Sequence, residues 1–593
     1  MTQHIRRSQF VYTYGPGAII EGVHGPRLIP LPDKGLFYGE HLPEDFEISD
    51  QRVSQGLLAG ARVFRLPSNA ELGKPESSDI YKTKSFPSWN LCTVCHPRGC
   101  YVLYLGQTCP VCHTEGGHIE AIRFVLACPK GHLDDVDWFA VVHGGNSCSR
   151  QSKYYNWCQA GSSLSQVQIE CPECSRKVNL GWAYRQAWKC SGRFPERESI
   201  GNSAERPGCS EKAFMIQRQA ANLRIPELRT LFTIPPRATR LHRLLESRTI
   251  RTVIACKNSF ASKSDFISEL EKTAKEGLLE RSVCAEINSY DWQDIQQALQ
   301  DISQLRSSNY SDLILEEFDE LLNASVNGYP PKRDRSGVVL FEVDLSKIKC
   351  VWGPRRKCQF RIAPLLRLRS VTVQTGYRRE VGGTSQPPDV VDVSFTDKDN
   401  NRWYPGTEFL GEGIFISLIS ESVDCRGESP LNLKWKQAWQ NGHTDYPDHL
   451  FRDKKKVELH PVFVWWHTLS HFLIRAISVD AGYSSAAIRE RVYTRIDCTS
   501  DSAKGGIVLY ATQPGSEGSS GGLISLVPYF DSILQKAIEL AEACSNDPLC
   551  AENHFYLGKY SGPACYGCAL ISETSCEHRN LWLDREVLLE NAP

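Results

Sequence analysis

An α+β protein of several domains is the fold class this sequence predicts. Three observations predict it: a length of 593 residues, 23 cysteines of which most lie in two stretches, and a cysteine-poor, helix-patterned stretch between those two. One hydrophobic core rarely serves more than about 250–300 residues, so a chain of this length divides. Hydrophobic residues at 41% and charged residues at 23% supply several cores, which excludes extended disorder. The 68 Lys and Arg against 69 Asp and Glu leave a net charge of -1. That balance excludes a generally basic coat protein for nucleic acid, while leaving room for a local basic groove.

Four segments follow in order. Residues 1–85 are rich in Gly and Pro, with Arg6 and Arg7 ahead of a Gly15-Pro16-Gly17 turn. Residues 86–215 are cysteine-rich, and residues 216–340 read as a helical insertion, with apolar residues at three- and four-residue intervals in SDFISELEKTAKEGLLE and SYDWQDIQQALQDISQL. Residues 341–593 read as a mixed α/β domain ending in a cysteine cluster. The N-terminal MTQHIRRSQF is polar and no run approaches the roughly 20 apolar residues of a membrane span. A cytoplasmic protein without a membrane partner is therefore expected. In that reducing compartment thiols serve as metal ligands or packed single side chains, and an odd total argues against a fully paired disulfide framework.

Spacing then selects the ligands. Cys92-x-x-Cys95 and Cys109-x-x-Cys112 are two knuckles 13 residues apart; each tight turn aims two sulfurs at one point, as a tetrahedral zinc ribbon requires. Cys171-x-x-Cys174 is a third knuckle, and Cys190 and Cys209, split by a Gly/Pro-rich loop, complete a second set. At the C-terminus five thiols compete for four positions: Cys550, Cys565, Cys568 and Cys576 are the expected set, with Cys544 as the alternative ligand. Cys128, His132 and Cys148 have ligand-like spacing without a fixed fourth partner, and pack as small hydrophobes and a turn residue otherwise. Cys256, Cys284, Cys350, Cys358, Cys425 and Cys498 read as packed single thiols. The cofactor expected is Zn2+ in two or three closed, structural sites, because none shows three ligands, an open water position and a nearby general base.

Between Leu345 and Arg379 there is no Asp or Glu, while Arg355, Arg356, Lys357, Arg361, Arg367, Arg369, Arg378 and Arg379 are among the basic residues, with Trp352, Phe360 and Tyr377 interleaved. Such a strip faces either solvent or an anion, and the expectation is contact with DNA phosphates. A GxxxxGK[ST] phosphate loop is absent; Lys504-Gly505-Gly506 lacks the pattern. His467 and His471 stand at i and i+4 in HTLSHFLIRAISVDAGYSSAAIRERVY, which reads as two helices broken at Gly482, but the Glu of an HExxH protease is missing. The Gly/Ser stretch 515–522 reads as a surface loop.

The N-terminal RRSQFVYTYGPGAII, the central FLGEGIFISL, the HTLSHFLIRA and GYSSAAIRERVY segments, and the ending CSNDPLCAENH, GPACYGCALISETSCEHRNLWLDR together resemble the DrmB subunit of DISARM, a bacterial anti-phage defence system. The resemblance spans nearly the whole chain, and its C-terminal third is similar to a zinc-containing module attached to certain superfamily-two DNA helicases. It implies an accessory subunit, not itself an enzyme, that pairs with a helicase-like ATPase, DrmA, in a DNA-binding complex and takes no small-molecule substrate. Two other expectations stand beside it: a metal-dependent nuclease built on His467, His471 and an acidic partner, and a protein-docking scaffold without DNA contact.

Overall fold

The computed structural model describes residues 4–590 apart from 37–40, 96–98, 114–118, 145, 147, 149–151, 200–205, 207, 235–239, 246, 258–259, 304–309, 335–336, 383–387, 420–434, 436–460, 482–484, 498–501, 514–521 and 554–560. Helices and four sheets form, so the α+β multidomain expectation holds.

Among the described residues the largest sheet joins eleven strands. Its spine is the antiparallel pair Gln359–Arg378 and Arg402–Leu418, in register from Phe360 opposite Leu418 to Val373 opposite Gly406, with a shift between Leu365 and Leu368. Beyond Arg402–Leu418 lie Ser502–Gln513 and then Ile488–Asp497. Both spine strands are covered on both faces, which is why they read as near-continuous apolar runs with little alternation. One cover is the helix Pro461–Ala481, whose PVFVWWHTLSHFLIRAISVDA is apolar all round; a helix of that kind is stable only when enclosed. Val464, Trp465, Leu469 and Leu473 pack with Ile414, Ile416 and Leu509 of the sheet and with the helix Phe530–Glu542. The opposite face packs on the helix Tyr310–Asn327 through Phe318 and Leu321. No described helix is long and apolar enough to cross a membrane.

The cysteine-rich N-terminal region builds a six-stranded and a four-stranded sheet with a shared core around Trp138, Trp157 and Ile169. Helices between Arg240 and Ser303 enclose a core of their own around Phe266, Leu270 and Ile287. The flanking Lys212–Gln217 and Ile225–Phe232 are strands of two different sheets.

Three readings differ from the sequence expectation. The segment following Gly482 is the strand Ile488–Asp497 and not a second helix, because it pairs along its length with Ser502–Gln513. Cys100 and Cys158 form a disulfide across the paired strands Tyr101–Leu105 and Tyr154–Gln159, where register sets them side by side. Cys256 and Cys350 are exposed and not packed. Gly482, Cys425, Cys498 and most of the 515–522 loop lie outside the described residues.

Candidate zinc sites and an arginine-lined cleft

Four cysteine-rich sets converge, each with its ligand atoms within 4.8 Å of one another. Cys92, Cys95, Cys109 and Cys112 form the first; Cys92 Sγ is 3.6 Å from Cys112 Sγ and Cys95 Sγ is 3.8 Å from Cys109 Sγ. A tetrahedron with zinc–sulfur bonds of about 2.3 Å has edges of about 3.8 Å, so these separations fit a shared ion. The C-terminal set is Cys544, Cys550, Cys565 and Cys568, with sulfur separations of 3.4, 3.7 and 3.8 Å. The structure puts Cys544 in the fourth position and Cys576 elsewhere.

The four cysteines grouped from sequence, Cys171, Cys174, Cys190 and Cys209, are distributed over two sets. Cys171 and Cys174 meet His143 and Cys148; Cys190 and Cys209 meet Cys128 and His132. The cause is topological. Cys171 follows the strand Val167–Glu170 of the six-stranded sheet, whereas Cys190 follows Ala187–Lys189 and Cys128 follows Phe124–Ala127, two strands that flank Lys212–Gln217 in the four-stranded sheet. His132 Nδ1 lies 3.2 Å from Cys128 Sγ and 3.5 Å from Cys190 Sγ. His143 Nε2 lies 3.5 Å from Cys174 Sγ, and its Nδ1 is 2.9 Å from the Phe139 carbonyl, which fixes the ring for ligation. The Cys190 thiol is pushed up to about 12, first by the Cys128 sulfur and then by burial. Several thiolates crowded in one place need a cation to coexist, and the donor chemistry of all four sets fits Zn2+.

A fifth set joins distant segments. His467 and His471 of the helix Pro461–Ala481, Glu490 of the strand Ile488–Asp497 and Cys576 converge, all buried. Glu490 carries the acidic group that sequence reading lacked; the alternation of IRERVYTRID, once read as a strand, would have found it.

That alternation also builds a cleft. Glu490 and Val492 face the helix, while Arg489, Arg491, Tyr493 and Arg495 line the opposite side. A cleft of about 1570 Å³ runs there between the N-terminal segment, the strand Ile225–Phe232 and the turn at 573–579, and is lined by nine arginines and four glutamates, with Tyr12, Tyr310 and Phe463 among its aromatic rings. Arg491 is wholly buried and forms its floor, bonded to Glu317 and Glu577 at 2.7 Å and to the Thr230 carbonyl at 3.0 Å. Arg489 donates to the Tyr12 hydroxyl at 2.8 Å and lies over its ring. Among the described residues no carboxylate pairs with Arg6 or Arg579, both exposed at the rim.

The acid-free strip does not form one surface. Arg369 pairs with Glu408 and Asp50, Arg378 with Glu227 at 3.2 Å, and Arg379 is wholly buried on the carbonyls of Gly131, Leu223 and Gly17. Their counterions come from other segments, which a window along one strand does not display. Arg355, Arg356 and Lys357 are exposed at the turn before Gln359–Arg378, with Arg355 3.3 Å from Glu542; Arg361 and Arg367 are half-buried. Of the eight, Arg378 alone lines the cleft.

Thus the fold and its sites define a zinc-rich α+β protein whose closed sites serve architecture. Residues 469–569 match the MrfA Zn-binding domain, a span that contains the whole C-terminal four-cysteine set, and residues 6–225 match a domain of unknown function, DUF8724. The domain match and the cysteine-rich sets bear out Zn2+ in multiple structural sites. The resemblance to DrmB is borne out as well: the chain is 29% identical over 504 residues to the DISARM protein DrmB of Bacillus paralicheniformis, covering 82% of this chain and 83% of that one. A solved structure, the DUF1998 helicase MrfA bound to DNA, aligns at 11% identity and a TM-score of 0.20 over 42% of this chain; the chain spans a quarter of that helicase, 25% of its length.

Proposed function

We propose that the protein is a non-catalytic accessory subunit of a DISARM-type anti-phage system, working in the cytoplasm of a bacterium beside a DrmA-like helicase ATPase and gripping DNA in the arginine-lined cleft. The observation that carries this reading is the cleft: nine arginines against four glutamates, with aromatic rings between them, in a chain of net charge -1. Arginine for phosphates and rings for bases is the combination that single-stranded nucleic acid binders use. The likeness to DrmB over most of both chains supports the defence role, and the missing phosphate loop supports a partner that supplies ATP turnover. In this reading the zinc sets hold the walls, the segments 1–85, 86–215, 216–340 and 341–593 act as units, and the exposed turn Arg355–Lys357 is a second, weaker phosphate contact.

The test is DNA binding across a salt series by the complex of this chain with its ATPase partner. Wild-type affinity should fall steeply with salt, and Arg229→Glu with Arg495→Glu and Arg579→Glu should weaken binding and flatten the slope by about one unit per lost phosphate contact. Unchanged affinity and slope in the triple variant would overturn the cleft as the DNA site. ATP turnover by this chain after complete removal of the partner would overturn the accessory role.

A further inference from the structure

We infer that His467, His471, Glu490 and Cys576 hold a fifth zinc ion, separate from the four-cysteine set of the matched zinc domain, that staples the wall of the arginine-lined cleft. The four-cysteine set at 544–568 lies wholly inside the matched span 469–569, whereas His467 and Cys576 lie outside it.

The donor geometry fits a metal ion. His471 Nδ1 is 2.8 Å from the Ala569 carbonyl oxygen, which accepts only from an N–H. Nδ1 therefore carries a proton, and Nε2 is the nitrogen turned inward. It meets Glu490 Oε1 at 3.2 Å, a contact satisfied by a metal ion between the two or by a second proton on the ring. His467 Nε2 reaches the same oxygen at 2.9 Å and Cys576 Sγ at 3.2 Å. Two imidazole nitrogens, a carboxylate oxygen and a sulfur thus surround one point, all within 4.8 Å of each other, and this set of donors suits four-coordinate zinc. The Glu490 carboxylate is fully buried, and its neighbours Arg489 and Arg491 point to the other face of the strand, where they bond Tyr12, Glu317 and Glu577. Besides the imidazoles it has the Ser470 hydroxyl. A buried carboxylate is costly unless it is paired or coordinates a metal, and one zinc ion would hold both imidazoles and the thiolate against it at once.

Position gives the ion its task. Cys576 belongs to the turn whose Glu573, Glu577 and Arg579 line the cleft, and the other three ligands sit on the helix and strand behind it. One ion would bind all three segments together. The four donors are buried protein atoms that complete a ligand shell, Cys576 alone of them bordering the cleft, so the role is architectural, unlike a nuclease centre with an open water position.

The test uses the full chain as purified, with metals counted by mass spectrometry and the zinc ligands averaged by X-ray absorption. Five zinc ions per chain are expected, with about three sulfurs per zinc; the four cysteine-rich sets without the fifth would average about three and a half. Glu490→Gln keeps the size and the hydrogen bond of the side chain but not its charge, and should lose one zinc while the other sites stay filled; Cys576→Ser should do the same. A folded variant with undiminished zinc overturns the site, because a merely hydrogen-bonded network would leave metal content unchanged. If neither variant folds, the wild-type spectrum decides: three and a half or more sulfurs per zinc, or iron in place of the fifth ion, overturns the inference. Neither readout involves DNA, so its failure and that of the DNA-binding proposal are separable.

Discussion

Arg491 ties several segments together through one side chain. It is wholly buried and touches Glu317, Glu577, the Thr230 carbonyl and the ring of Phe232, 4.4 Å away. Burial works against its charge, but Glu577 and Glu317 outweigh burial and hold the guanidinium well above its ordinary range. Removing one partner of such a pair leaves an uncompensated charge inside, so Arg491→Met should cost about 3–5 kcal/mol in urea unfolding. Glu317→Gln added to it should restore part of that loss; strictly additive losses would refute the pairing. Asp584 offers a pH test at the same scale. Burial pushes its carboxyl up to about 6, against the Trp435 indole N–H and the backbone N–H groups of Val587 and Glu586. Its folded value exceeds the unfolded one near 4, so the folded chain binds more protons between about pH 4 and 6. Stability therefore falls as pH rises through that window, by about 2–3 kcal/mol for this group. Asp584→Asn should abolish that slope in melts taken from pH 4 to 6.5.

At the scale of elements, the legibility of the sequence depended on where the partner of each residue lies. Cys92 and Cys95 sit where the strand Trp89–Cys92 turns toward Tyr101–Leu105, and Cys109 and Cys112 in the next connection along the chain, to a strand that also pairs with Trp89–Cys92, so short spacing brought them together. Cys190 and Cys128 are 62 positions apart and meet only because their strands flank a common neighbour, which no local spacing encodes. The basic strip misled for the converse reason: its counterions Asp50, Glu227 and Glu408 arrive from other segments. IRERVYTRID carries a two-residue alternation, but Ala486, Ala487 and the charged residues before Tyr493 also fit a helix, and pairing with Ser502–Gln513 decides the matter. That pairing is tight enough to test. A Cβ at Gly505 would stand 2.1 Å from the Trp466 indole nitrogen, so Gly505→Ala should lower stability by about 1–3 kcal/mol. Gly208→Ala, with open space around it, should leave the melting temperature unchanged.

Across the whole molecule, polar bolts join the cores alongside apolar contacts such as that of Phe194 with the core around Val371 and Val391. Tyr377 of the large sheet donates to Glu196 at 2.6 Å, Arg379 to Gly131, and Arg197 to the Asp392 carbonyl at 3.2 Å, linking the cysteine-rich N-terminal region to the sheet spine. The first zinc set has its own small core of Val102 and Tyr104, whereas Cys550 and Cys568 belong to the core that encloses the helix Pro461–Ala481. Loss of a zinc ligand should therefore act locally at one end and globally at the other, since structural zinc binding contributes folding energy to the core it touches. Cys109→Ser should raise amide hydrogen exchange in the strands Trp89–Cys92 and Tyr101–Leu105 while leaving Arg402–Leu418 protected. Cys568→Ser should raise exchange through Phe530–Glu542 and Pro461–Ala481, and weaken DNA binding with it, because that helix stands directly behind the cleft wall. Equal exchange throughout the chain in both variants would mean that the zinc sites support a single cooperative unit and that the bolts transmit far more than these few hydrogen bonds imply.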